Sequence, residues 1–207
     1  MQYSIESIPI SNNDLVIFVA LKEHDNLYEL GRYIKNTFPK LIFELVLLDD
    51  ETRGQSETVL ASREFVNDTD ELLIYNIDTY FKSKTLLKNL RRHKKMCDGI
   101  IGSFLNVSSE NHWSFAKINE NNFVLEVREK EKISDHALTG LYHFSKAKYF
   151  FTTAERHIKN NILTKGEFYI APLYNDLISQ GKNFILDIVD DFVPLGTPSE
   201  VENFDKS

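Results

Sequence analysis

The chain has 207 residues, 42% hydrophobic and 27% charged, with a formal net charge of -7 and a pI near 5.4. That composition is ordinary for a soluble globular protein, and its acidic balance argues against nonspecific nucleic-acid binding, which needs a basic footprint. A single cysteine, Cys97, excludes an internal disulfide and fits a reducing compartment. Residues 1–6 lack a signal-peptide pattern, and no window approaches the roughly 18 apolar residues of a membrane span, so we expect a cytoplasmic protein without a membrane partner.

Residues 1–10 read as the tail of a helix ending near Pro9. Asp14 then introduces a continuous apolar run, residues 15–21, of the kind that marks a strand covered on both faces. Asp25 or Asn26 caps a helix reaching about Thr37, with Leu27, Leu30 and Ile34 at helical spacing and Pro39 as its stop. Residues 41–48 form a second buried strand. A polar loop, 49–55, opens a helix carrying Val59, Leu60 and Phe65, and a third strand, 72–76, runs into Asn76-Ile77-Asp78. Strands alternating with helices over this half are the pattern of βαβ units and a largely parallel sheet. Residues 85–95 give another helix, whose cluster of Lys88, Arg91, Arg92, Lys94 and Lys95 reads as a solvated face.

From Gly99 the texture changes. After a strand at 99–105, the segments 113–118 and 122–129 alternate with period two around Asn119-Glu120-Asn121-Asn122, which predicts an antiparallel hairpin. A strand at 137–144, a helix at 147–161, a helix at 167–180 with Pro172 near its first turn, and a strand at 184–189 follow. Residues 194–198 turn into a short terminal helix capped by Thr197 or Ser199. With no repeat or long linker, residues 1–207 read as one domain.

Asp78 is the residue on which chemistry turns. Ligands of open α/β sheets bind beyond the carboxyl ends of the strands, and a carboxylate there can hold Mg2+ against substrate phosphates. The other reading of the same residues is that Asn76 and Asp78 cap a following helix. His136 beside Asp135 is either an acid–base pair or a structural histidine, and the histidines show no zinc-ligand spacing.

The order of motifs resembles the sugar-1-phosphate nucleotidyltransferases. The resemblance is carried by Gly54-Gln55-Ser56-Glu57-Thr58, Leu72-Leu73-Ile74-Tyr75-Asn76-Ile77-Asp78, Trp113-Ser114-Phe115-Ala116-Lys117 and Val127-Arg128-Glu129-Lys130. It continues through Thr139-Gly140-Leu141-Tyr142, Gly166-Glu167-Phe168-Tyr169 and Leu195-Gly196-Thr197-Pro198. It implies a three-layer α/β/α, Rossmann-like fold with a mixed, mostly parallel sheet and an added β-hairpin. Residues 1–98 would be its nucleotide-binding half and 99–207 its sugar-phosphate-binding half.

The implied reaction joins an NTP to a sugar-1-phosphate, giving an NDP-sugar and pyrophosphate, in sugar activation for surface polysaccharide. In that role Asp78 would hold Mg2+, and Lys130 would offset charge on the sugar phosphate. Gly54 and Gln55 would read the nucleobase, while Asn76, Glu129, Thr139, Gly140 and Glu167 would contact substrate.

The sequence departs from the family twice. The Gly-rich triphosphate loop and first strand that open family members have no counterpart in residues 1–207, so residues 1–8 line up with the helix that follows the loop. A second metal-binding Asp of the family falls at Pro194, with Asp190 and Asp191 as nearby substitutes. These departures imply a transferase impaired by itself, with an unpaired sheet edge favouring a homodimer. The alternatives are a noncatalytic sugar-phosphate-binding or regulatory subunit, and a glycosyltransferase of similar architecture.

Overall fold

The computed structural model describes residues 1–92 and 96–205, so Lys94 and Lys95 of the basic cluster lie outside the described residues. The chain opens with helix α1 (Gln2–Ser7) and strand β1 (Leu15–Leu21), then helices α2 (Lys22–Tyr28) and α3 (Leu30–Thr37) and strand β2 (Ile42–Leu48). The helix anticipated as continuous to Thr37 is broken, because Glu29 takes up left-handed backbone (φ 47°) between α2 and α3. Asp25 serves the second of them, its carboxylate accepting from the Gly31 N–H at 3.3 Å. β1 and β2 pair in parallel, from Leu15 opposite Ile42 to Leu21 opposite Leu48. The apolar run of β1 led us to expect cover on both faces, yet Phe18 is its one buried residue. Among the described residues β1 pairs only with β2, which leaves its other edge without a neighbour.

Helix α4 (Gln55–Leu60) and a 3-10 turn (Arg63–Phe65) lead to β3 (Leu72–Tyr75) and β4 (Thr79–Lys82). Asn76-Ile77-Asp78 therefore joins two strands and opens no helix, which removes the capping reading. Then come α5 (Leu86–Arg92), β5 (Gly99–Leu105), β6 (Ser114–Ile118), β7 (Val124–Glu129), β8 (His136–Phe144) and α6 (Ala147–Lys159). The chain closes with α7 (Leu173–Ser179), β9 (Phe184–Ile188), β10 (Asp191–Pro194) and α8 (Pro198–Asp205).

The main sheet is six-stranded and mixed. Its order is β7-β6-β8-β5-β9, with β3 also alongside β8. β8 is antiparallel to β3, β5 and β6, whereas β5 and β9 are parallel. Consequently β3, β5, β6 and β9 share one direction, and β8 and β7 run against it. Every residue of β8 after His136 is buried, as a strand with neighbours on both edges and cover on its faces should be.

Helix α6 lays Ala147, Phe150, Phe151 and Ala154 on this sheet at helical spacing. Phe144 stacks on Tyr174 of α7 at 4.8 Å, and Phe184 meets the same ring edge-on at 4.7 Å. Burying each such ring contributes about 1.5–3 kcal/mol. A helix predicted from Glu167 begins only at Leu173, with Pro172 as its N-cap. The preceding segment instead lies against the turn before α4: the Phe168 N–H donates to the Arg53 carbonyl (3.0 Å), and the Ser56 N–H donates to the Phe168 carbonyl (2.8 Å).

A small antiparallel pair, β4 with β10, sets Phe192 opposite Phe81 and Pro194 opposite Thr79. Helix α1 is pinned to it, Ser4 Oγ donating to the Ile77 carbonyl (2.5 Å) and Ser7 Oγ accepting from the Phe81 N–H (3.0 Å). No described helix is long and apolar enough to cross a membrane.

Candidate active site

The Asn76–Asp78 turn is held from both sides. The Asn76 N–H donates to the Gly140 carbonyl at 3.1 Å, and the Leu195 N–H donates to the Asp78 carbonyl at 2.7 Å. The buried Thr79 hydroxyl reaches the Thr139 carbonyl at 3.2 Å. Gly140 sits at φ 83°, and a Cβ there would lie 2.7–2.9 Å from side-chain atoms of Asn76. Only glycine lets the two strands approach so closely in that conformation.

Beyond this turn opens a cavity of about 470 Å³, lined by Gln55, Asn76, Asp78, Glu129, Thr139 and Gly140 among others. The Gln55 amide approaches Asn76 Oδ1 at 3.5 Å. The Thr139 hydroxyl accepts from the Leu141 N–H (3.4 Å) and lies against Gly102, so Thr139 faces the protein interior more than a hydroxyl contact to substrate would suggest. The remaining expected site residues stand beside the lining. Gly54, at φ 140°, is packed so tightly that a Cβ would lie 2.6 Å from Phe168 N. Lys130 donates to the Tyr169 hydroxyl (2.7 Å), which donates to Glu167 (2.8 Å), and Tyr169 itself lines the cavity.

Glu129 is buried, 6% exposed, and accepts a short hydrogen bond from the Ser114 hydroxyl, its cross-strand neighbour in the hairpin. Burial pushes its carboxyl up from the ordinary range, against the opposing pull of Ser114 and of the Lys130 ammonium. The hydrogen bond to Tyr169 pushes Lys130 up in turn. Burial also raises the phenol of Tyr142, which lines the cavity beside Ser114 and feels the charge of Glu129. Trp113, on the lining, is backed by Phe104 and Phe192, which it meets edge-on at 5.4 and 5.3 Å. Sequence reasoning quoted Ser114, Tyr142 and Tyr169 inside motifs without assigning them a place at the site.

Pro194, at the position of the family's second carboxylate, lines the cavity without a side-chain oxygen. Asp190 is taken by Lys84, whose Nζ lies 2.8 Å away and whose hydrogen bond holds the carboxyl below its usual range. Asp191 lies opposite Lys82 in the β4–β10 pair, and neither aspartate reaches the cavity lining. Glu200 does, but its carboxylate accepts from the Thr197 N–H (2.8 Å) while its own N–H donates to the Thr197 hydroxyl (3.3 Å), a capping box for α8. Among the described residues no group of three His, Cys, Asp or Glu side chains could hold a metal. His136 lies off the lining, with its pKa lowered by burial.

No protein-family model matches the chain, and no curated protein does. Solved structures do. A nucleoside-diphosphate-sugar pyrophosphorylase from Vibrio cholerae RC9 is 27% identical with a TM-score of 0.79, covering 94% of this chain and 82% of that one. A glucose-1-phosphate thymidylyltransferase from Bacillus anthracis, described as putative and in complex with a sucrose, is 18% identical, with a TM-score of 0.71 over 93% of this chain and 74% of its own. The inositol-1-phosphate CTP transferase from T. maritima is 12% identical, with a TM-score of 0.64 over 90% of this chain and 70% of its own. The last two speak for the fold alone. The chain has the fold of the sugar-phosphate nucleotidyltransferases, and these structural neighbours are members of that family.

Proposed function

We propose that the cavity joins a sugar-1-phosphate to a nucleotide, releasing pyrophosphate, in the activation of sugars for surface polysaccharide in the cytoplasm. The observation that carries this reading is the convergence of Asp78, from the β3–β4 turn, and Glu129, from the hairpin, on one cavity. Residues 1–98 thereby face the nucleotide and residues 99–207 the sugar phosphate. An oxygen of the sugar phosphate attacks the α-phosphorus of the NTP. The new P–O bond forms as the bond to the β-phosphate oxygen breaks, and pyrophosphate leaves. The nucleophile is already ionised, so no enzyme base is needed, and catalysis consists of positioning and charge compensation.

Glu129 accepts from sugar hydroxyls, Gly140 brings the backbone close to the sugar, and Thr139 and Glu167 complete its surroundings. Lys130, turning from Tyr169, offsets the phosphate charge, while Gly54 and Gln55 face the base. The donor set at the turn, the Asp78 carboxylate with the Asn76 amide oxygen, fits Mg2+, a hard cation that takes oxygen ligands and keeps few protein contacts. Bound there, Mg2+ would neutralise charge on the transferring phosphates.

The described lining includes Asp78, Glu110, Glu129 and Glu200 but no Lys or Arg. Residues 1–207 also contain no Gly-rich loop to cradle a triphosphate, so we infer slow turnover by these residues alone. The same lining favours a second reading, a sugar-phosphate-binding subunit without catalysis. The unpaired edge of β1 is where we expect a homodimer to form.

Equilibrium titration with a panel of hexose 1-phosphates and Mg2+ tests the site. We expect at least one to bind saturably and to bind at least tenfold more weakly to Glu129→Gln. Failure of every member to bind, or equal binding by the variant, contradicts the proposal.

A further inference from the structure

Ser114 and Glu129 face each other across the β6–β7 hairpin. Among the described residues the Ser114 hydroxyl is the one side-chain donor that reaches the buried Glu129 carboxylate, binding Oε2. A serine has a single hydroxyl proton, and a carboxylate only accepts. That proton is therefore committed to Glu129. Oε1 of Glu129 accepts from none of the described residues, and Glu129 lines the cavity, which leaves that oxygen for a ligand.

We propose that Ser114 is a positioning residue of this site, holding the Glu129 carboxylate in one rotamer so that its second oxygen receives a hydroxyl of the bound sugar phosphate. The proposal rests on the sugar-phosphate reading of the cavity and adds the group that orients its principal acceptor. Without Ser114, Glu129 would keep its burial and lose its donor. Lys130 and Glu167, of opposite charge, would then be the charged groups acting on it, with Tyr142 the remaining phenol beside the gap.

The test follows the Glu129 side-chain carboxyl by carbon NMR across pH, assigned through Glu129→Gln, in wild type, Ser114→Ala and Ser114→Thr. The same proteins are titrated with hexose 1-phosphates and Mg2+ at pH 7. In Ser114→Ala the Glu129 midpoint moves up and affinity falls about tenfold or more, as expected for loss of a hydrogen bond to a charged group. Ser114→Thr, which keeps the hydroxyl, restores both. A purely structural serine would leave the Glu129 midpoint in place, and that result overturns the proposal, as does unchanged affinity in Ser114→Ala. If Ser114→Ala does not fold, Ser114→Cys, a weaker donor of similar size, replaces it with a smaller shift in the same direction. Should no sugar phosphate bind the wild type, the sugar-phosphate reading fails, and the Glu129 midpoint alone decides whether Ser114 orients it.

Discussion

Gly140 and Asn76 constrain one another more tightly than either motif suggests when read alone. A methyl group at Gly140 would have to share space with the Asn76 side chain in a backbone conformation L-residues avoid. Gly140→Ala should therefore destabilise the protein by about 1–3 kcal/mol, read from the urea midpoint, and disturb the turn that carries Asp78. Glu129 makes a prediction in pH. Its carboxyl is raised in the folded chain, so on acidification it takes up a proton before an unburied glutamate would. Folding stability from this group is lowest above that raised midpoint and improves as pH falls through it. Sugar-phosphate binding moves the other way, weakening over the same interval as the acceptor is neutralised, whereas Glu129→Gln should be flat there. At this scale the place of Asn76 and Asp78, at the end of an apolar strand and on the cavity, was legible from the apolar run that precedes them. Ser114 was not, because the register shifts between Lys117 and Ile118. Counting back from the turn without that irregularity places Ser114 opposite Arg128, and a one-residue slip reverses the face on which every side chain lies.

At the scale of elements, continuous apolar runs identified β1, β2 and β3, and period-two alternation identified the hairpin. What the runs could not tell was cover. β1 is apolar enough for a strand inside a sheet but has β2 as its only strand partner among the described residues. Amide exchange should accordingly be faster along β1 and β2 than along β5 and β8, whose residues lie mostly buried in the main sheet, because local opening is easiest where few apolar contacts must break. Equal protection in the two groups, measured by mass spectrometry, would show that β1 is covered. The β4–β10 pair escaped notice because two four-residue segments far apart in sequence carry no period of their own. The start of α7 was misplaced because helical spacing is indifferent to tertiary bonds: Phe168 is held extended by the Arg53 and Ser56 backbone.

For the molecule as a whole, motif order conveyed the architecture well, since the motifs fall on strands of the main sheet, as Ser114–Lys117 does in β6 and Thr139–Tyr142 in β8, or on the turns beside them, as Asn76–Asp78 does. The relative direction of strands was less visible: β8, at the centre, runs against its neighbours although four strands agree. The sheet brings residues from distant parts of the chain to one cavity, yet the described lining carries acidic groups and no Lys or Arg. The most direct measurement is pyrophosphate release by the purified protein with each NTP, Mg2+ and a panel of sugar-1-phosphates. The account predicts slow release that depends on the sugar phosphate and falls at least ~100-fold in Asp78→Ala. Release that Asp78→Ala leaves unchanged, or no release with any combination, would contradict it.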